Sequence, residues 1–64
     1  MREAELWTRL GALLGDDYSK AWAEMTAITG LESKTVLEAL REGIPPKKIW
    51  RHVCDFLEVN ENQR

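Results

Sequence analysis

The sequence has only one cysteine, Cys54, and this excludes a disulfide framework within the chain. A secreted domain of 64 residues usually needs such cross-links because its core is small, so we expect a reducing, cytoplasmic location. No run of about 18 apolar residues is present, and this excludes a membrane-spanning helix. The charged start, MREAELWTRL, lacks the apolar region of a signal peptide.

The chain also lacks an excess of positive charge. It has nine Lys and Arg residues against eleven Asp and Glu residues, a formal net charge of −2. Neither half of the sequence has the strong positive field typical of a nucleic-acid-binding domain. There is one histidine, and no glycine-rich phosphate loop or pair of carboxylates in an evident cleft. We therefore expect a protein that is not an enzyme and has no cofactor.

Aromatic and aliphatic side chains are well represented. The hydrophobic fraction of 44% and the charged fraction of 31% are typical of a soluble globular protein. A chain of this length buries only about 60% of its unfolded surface. Three tryptophans, Trp7, Trp22 and Trp50, supply much of the apolar area that so small a core requires.

Hydrophobic periodicity predicts four helices, over residues 3–14, 17–29, 35–42 and 46–58. The fold class is therefore all-α, a small bundle of three to four short helices. One domain is expected over residues 1–59, followed by a polar, frayed tail over residues 60–64. The predicted buried stripes are Leu6, Trp7, Leu10, Leu13 and Leu14 in the first helix, Tyr18, Ala21, Trp22, Met25 and Ile28 in the second, and Ile49, Val53, Phe56 and Leu57 in the fourth, with Trp50 and Cys54 at its flank.

Several residues mark the ends of these helices. Gly15 is expected to end the first helix in a left-handed conformation, and Asp16 to cap the second. Thr35 and Glu38 have the spacing of a capping box at the start of the third helix. Pro46 suits the first position of the fourth helix because the N–H that it lacks would be unpaired there.

The third and fourth helices have the pattern of a helix-turn-helix. Ala39, Gly43 and Ile49 provide a small residue at the crossing, a glycine in the turn and a buried β-branched residue. In such motifs the start of the second helix contacts bases or phosphates. Cations are disfavoured by about 0.3–1 kcal/mol in a first helical turn, so their presence favours a function. The candidate nucleic-acid-binding residues are Lys47, Lys48, Arg51 and His52.

Two tryptophans suggest a different function. Tryptophan is seldom fully buried, so we expect Trp22 and Trp50 to be partly exposed beside Met25. Such residues are typical anchors for a protein partner or a second copy of the chain. The alternative is that both indoles lie in the core.

Cys54 and His52 do not predict a metal or catalytic site. Two residues that are two positions apart lie on different faces of a helix. A metal site needs three or four ligands, and no other ligands are evident here. We expect Cys54 to behave as a small hydrophobic residue and His52 to be solvated.

A series of short motifs extends over roughly residues 1–59. The motifs are W-x-R…G-x-x-Y (Trp7, Arg9, Gly15, Tyr18), T-V-x-E-A-L-x-x-G (Thr35 to Gly43) and P-x-x-[IV]-W-x-x-[VA]-C (Pro46, Ile49, Trp50, Val53, Cys54). This series resembles an actinobacterial family, domain of unknown function 3046. The resemblance implies a small, helical, cytoplasmic protein with no established activity and no functional residues to transfer. The sequence differs from the family pattern at Glu32-Ser33, Pro45 and Lys48, where a Gly pair, Asp and Glu are common.

The sequence therefore predicts a non-enzymatic interaction protein that binds a protein partner or itself. A helix-turn-helix nucleic-acid-binding protein is the alternative. The exposed face of the fourth helix distinguishes them, because a continuous basic face favours nucleic acid and an apolar patch around a tryptophan favours protein.

Overall fold

The computed structural model describes all 64 residues and confirms the all-α fold class. The α-helices are α1 (Glu3–Leu14), α2 (Asp16–Met25), α3 (Val36–Arg41) and α4 (Pro46–Phe56). Two short 3-10 helices, Thr29–Leu31 and Glu61–Gln63, follow α2 and α4. No strand is present, and the single isolated bridge joins Ile28 to Lys34.

The bounds of α2 differ from the prediction at both ends. The helix begins at Asp16, which lies in the first turn rather than capping it, and the N-cap position belongs to Gly15. Gly15 has the predicted positive φ of 95°, but its ψ of 140° lies outside the left-handed helical region. The helix ends at Met25 because Thr26 is extended and the Ile28 N–H donates to the Lys34 carbonyl at 2.9 Å.

The predicted starts of α3 and α4 are confirmed. The Thr35 hydroxyl accepts a hydrogen bond from the Glu38 N–H at 3.2 Å, and the Glu38 carboxylate accepts one from the Thr35 N–H at 3.0 Å. Pro46 is the first residue of α4. Two orphan N–H groups of α3 are thereby satisfied, which helps a helix of only six residues to form.

All four α-helices contribute to one hydrophobic core. Of the two alternatives for Trp22 and Trp50, partial exposure or burial, the structure has both indoles in this core, with only 8% and 6% of their surfaces exposed. The core of so short a chain is small, and burial of these two large indole side chains supplies much of the apolar area that stabilises it. The fully buried hydrophobic residues are Leu6, Leu10, Ala23, Ile28, Val36, Ala39, Ile49, Val53 and Cys54.

The predicted stripe of α2 is wrong at most of its positions. Ser19, Trp22 and Ala23 face the core, whereas Tyr18 and Met25 are 60% and 79% exposed. Ser19 and Ala23 are small and allow α2 to approach its neighbours closely, and the Ser19 hydroxyl donates to the Asp16 carbonyl at 3.0 Å. Helix α2 therefore has two adjacent faces, one with Tyr18 and Met25 and one with Ser19 and Ala23. The face with the small residues packs against the core.

Two further predicted core residues are exposed. Leu13 lies on the surface of α1, and Phe56 is 42% exposed because Trp50 and Cys54 occupy the buried face of α4. Helix α4 ends at Phe56, two residues before the predicted end. Glu58 adopts a left-handed conformation with φ 54°, and the Val59 N–H then donates to the Cys54 carbonyl at 2.9 Å.

Residues 60–64, the polar tail, lie beside α4. Val59 is buried, and residues Glu61–Gln63 form a 3-10 turn. The Arg64 guanidinium donates to the Val59 carbonyl at 2.8 Å and to the Asp55 carboxylate. These contacts place a third segment beside α1 and α4.

Candidate functional site

The four predicted nucleic-acid-binding residues divide into two rows along α4. Lys47 and Arg51 are one helical turn apart, as are Lys48 and His52. Lys47, Lys48 and Arg51 are exposed, and none of them forms an ion pair with a carboxylate. The structure does not test whether these side chains bind nucleic acid, so that role stays a prediction.

Lys47 and Arg51 line a concavity of about 380 Å³, which we call the basic cavity. Arg9 of α1 and Arg64 of the tail bring two further cations to it, and Glu5 is its only acidic residue. Trp50 and Cys54, both buried in the core, also contribute to its lining. Together with Met1, which precedes α1, the lining therefore comes from both ends of the chain, α1 and α4, with four cationic side chains and one carboxylate.

Two cations of the basic cavity already have partners. The Arg9 guanidinium lies 3.3 Å from the Glu5 carboxylate, and its Cζ atom lies 5.9 Å from the centre of the Trp50 ring, within range of a cation–π interaction. The hydrogen bond from Arg64 lowers the pKa of Asp55, and the same contact raises the pKa of Arg64. Lys47 and Arg51 have no such partner.

The row of Lys48 and His52 faces a different neighbourhood. His52 is half-buried rather than fully solvated, because its ring packs against Gly30, where an added Cβ would lie 2.5 Å from Nδ1. Lys48 lies beside Lys34 at a small depression of about 80 Å³. The Lys34 ammonium pairs with Glu42 at 2.7 Å and Glu32 at 3.7 Å, and the hydrogen bond that it donates to Glu42 is the main cause of its raised pKa.

A second surface surrounds the indole of Trp22. Tyr18 and Met25 lie on the same face of α2, about two helical turns apart, with Ala21 and Trp22 between them. Phe56 of α4 contacts the Trp22 ring edge-on, with the ring centroids 6.3 Å apart and the planes at 61°. We call this surface the Trp22 patch; its members are Tyr18, Ala21, Trp22, Met25 and Phe56.

The predicted partner-binding set is thus only partly accessible. Met25 is open to solvent, whereas Trp22 supports the patch from below and Trp50 lies under Arg9 near the basic cavity. Sequence reasoning missed Tyr18 and Phe56 as surface residues because their spacing also fits a core stripe. It missed Arg9 and Arg64 because only the fold brings them to α4.

The helix-turn-helix pattern stays a prediction. Ala39 and Ile49 are fully buried and Gly43 has a φ of 82°, as such a motif needs at those positions. The structure contains no group of three or more His, Cys, Asp or Glu side chains that could hold a metal ion. Burial raises the pKa of the Cys54 thiol. None of the helices has the length and apolar character needed to cross a membrane.

Comparison with protein families gives one match that extends over nearly the whole chain. The family is described as "Protein of unknown function (DUF3046)", and its profile matches residues 1–62. Comparisons with curated proteins and with solved structures give no match. The family description assigns no activity, so function has to be argued from the two surfaces.

Proposed function

The chain belongs to the family domain of unknown function 3046, and we propose that it acts as a non-enzymatic protein-interaction module. The Trp22 patch is its docking surface, and a second copy of the chain is the occupant. The observation that carries the proposal is the exposure of Tyr18 and Met25, at 60% and 79%, beside a buried indole. Aromatic residues and methionine are enriched in interfaces, because they bury much area and adapt to a partner.

The order of residues along α2 favours a second copy. Tyr18 and Met25 lie at the two ends of the patch, and Ala21 and Trp22 lie at its middle. A two-fold axis through the middle would make the two α2 helices antiparallel and place each Met25 thioether against the Tyr18 ring of the other copy. Contacts between sulfur and an aromatic ring contribute about 0.3–1.5 kcal/mol. The patch is thus self-complementary, as an interface with two-fold symmetry requires.

The proposed dimer is weak and becomes more stable as salt is added. A standard interface buries about 800 Å² per partner, roughly a fifth of this chain's 4395 Å² surface, and the exposed part of the patch has only a few side chains. Asp17 and Glu24 border the patch on α2, and the two-fold axis places the same edge of each helix side by side. Salt screens the resulting repulsion between carboxylates.

Sedimentation equilibrium over a range of protein concentrations tests this proposal. We expect the wild-type chain to associate reversibly at concentrations up to about 1 mM and to associate more strongly at high salt. Met25→Gln keeps the side-chain length but adds a polar amide, so it should weaken association about tenfold. Leu13→Gln, at an exposed position of α1 outside the patch, is the matched control. A wild-type chain that stays monomeric, or equal effects of both variants, would refute the proposal.

Nucleic-acid binding is the second candidate function. It is favoured by the three exposed cations of α4, Lys47, Lys48 and Arg51, none of which is neutralised by a carboxylate. When unpaired Lys and Arg side chains contact phosphates, the counterions held by the nucleic acid are released, and this release favours binding. The net charge of −2 opposes such binding, which makes this candidate the weaker one.

Fluorescence anisotropy with a labelled DNA duplex tests this second function. Binding should weaken steeply as salt is added, the opposite of the expected behaviour of the dimer. Lys48→Glu should reduce affinity, whereas Lys20→Glu, which makes the same charge change on α2, should have a much smaller effect. Absence of binding at low salt would eliminate nucleic acid as a ligand.

A further inference from the structure

We infer that the basic cavity is a binding site for a small organic phosphate that carries two or more negative charges. This site is separate from the Trp22 patch. It shares Lys47 and Arg51 with the proposed nucleic-acid surface but includes Arg9 of α1 and excludes Lys48. The inference depends on the charges, the size and the rigidity of the cavity.

The charge balance of the cavity determines the class of ligand. Its lining has four cations and one carboxylate, although the chain as a whole has a net charge of −2. Arg9 and Arg64 are each paired with one carboxylate, so Lys47 and Arg51 are the cations without partners. Two unpaired cations are best neutralised by a ligand with at least two negative charges, which excludes a simple monocarboxylate.

Phosphate matches both the charge and the hydrogen-bond donors of these side chains. The planar guanidinium group donates two parallel hydrogen bonds to phosphate oxygens, and three of the four cations are arginines. The Glu5–Arg9 pair is exposed and is therefore worth little. Arg9 can leave Glu5 for a phosphate at small cost while its guanidinium stays over the Trp50 ring.

The size of the cavity indicates that the ligand is more than a phosphate ion. A volume of about 380 Å³ lies near the lower end of the range of roughly 300–1,000 Å³ for small-molecule sites. The space beyond the phosphates can hold a compact organic group. Trp50 and Cys54 give this part of the lining an apolar character.

The floor of the cavity is firmly held. Cys54 is fully buried and Trp50 nearly so, and both pack within the core. Burial raises the pKa of the Cys54 thiol, so this residue adds no negative charge beside the ligand at neutral pH. A rigid floor holds the backbone of α1 and α4 from which Arg9, Lys47 and Arg51 extend, so binding does not have to order the helices themselves.

Titration of the isotope-labelled chain with ATP, pyrophosphate and sulfate, followed by ¹H–¹⁵N correlation spectra at constant ionic strength, tests the inference. ATP and pyrophosphate should cause saturable shifts centred on Arg9, Lys47 and Arg51, whereas sulfate should cause much smaller ones. Tighter binding of ATP than of pyrophosphate identifies an organic phosphate, and equal binding would overturn the organic part of the inference.

Two variants separate this site from the nucleic-acid surface. Arg9→Gln should weaken ATP binding about tenfold, because one charge-assisted contact is lost, and should leave DNA binding almost unchanged. Lys48→Gln should leave ATP binding unchanged. Lys48 is exposed and Arg9 is half-buried over the Trp50 ring, and the same spectra verify that each variant is folded. Non-saturable shifts, or identical responses of both variants to ATP, would overturn the inference.

Discussion

At the scale of single residues, the two buried tryptophans differ in whether the indole N–H group is buried without a hydrogen-bond acceptor. Trp50 Nε1 is the one buried side-chain nitrogen or oxygen without a hydrogen-bond partner. A buried donor without a partner costs about 1–3 kcal/mol. Trp50 therefore contributes its buried area and its contact with Arg9 in spite of this cost. The sequence indicated that tryptophan builds the core, but an unpaired donor depends on atomic packing and has no signal in the pattern.

We predict that Trp50→Phe destabilises the chain less than Trp22→Phe does. Both changes lose part of an indole, but the first also removes the unpaired donor and so recovers about 1 kcal/mol or more. The second loses the edge-on contact with Phe56. Urea denaturation of the two variants measures the difference. A larger loss in Trp50→Phe would show that its N–H is satisfied in solution.

The capping box at Thr35 allows a second prediction. Thr35→Ala should lower the free energy of unfolding by about 1 kcal/mol, because the Glu38 N–H loses its acceptor. Thr35→Ser keeps a hydroxyl and should cost much less. Urea midpoints of the three proteins provide the comparison, and equal midpoints for both variants would contradict the proposed cap.

At the scale of elements, the starts of helices were predicted better than their buried faces. The capping box and Pro46 act through local chemistry, so their spacing in the sequence was sufficient. The face of α2 was mispredicted because Tyr18 and Met25 fit the helical repeat as well as Ser19 and Ala23 do. Periodicity identifies an apolar face but cannot rank two adjacent ones, and close packing of small residues decided between them.

The contact between α4 and the tail should depend on pH. Arg64 lowers the pKa of Asp55, so the stabilising contact is present at neutral pH and is lost as the pH falls through that lowered pKa. Hydrogen exchange and chemical shifts of residues 61–64 should report release of the tail in acid. Asp55→Asn should release it already at neutral pH, with little change in global stability.

A chemical-shift titration of the Asp55 carboxyl provides the control for that prediction. Its apparent pKa should rise towards the ordinary value in Arg64→Gln, because the guanidinium donor is then absent. An unchanged pKa in this variant would mean that the tail does not contact α4 in solution.

At the scale of the whole molecule, the large apolar side chains are divided between the core and the surface. Trp22 and Trp50 close the core, while Tyr18, Met25 and Phe56 remain outside it. Met25 is exposed beside Trp22, and Lys47, Lys48 and Arg51 are exposed at the start of α4, whereas the binding roles that the sequence suggested for them stay predictions. It could not predict that Arg9 and Arg64 meet Lys47 and Arg51, because residues so far apart in the chain are joined only by the tertiary fold.

The most direct test of the central claim is an isotope-filtered nuclear Overhauser experiment on an equal mixture of labelled and unlabelled chains at high concentration and high salt. The Trp22 patch should give intermolecular contacts between the Met25 methyl group and the Tyr18 ring, as the antiparallel arrangement of the two α2 helices requires. Leu13→Gln should leave them unchanged. Intermolecular contacts at another surface, such as Leu13, or none at all, would contradict the account.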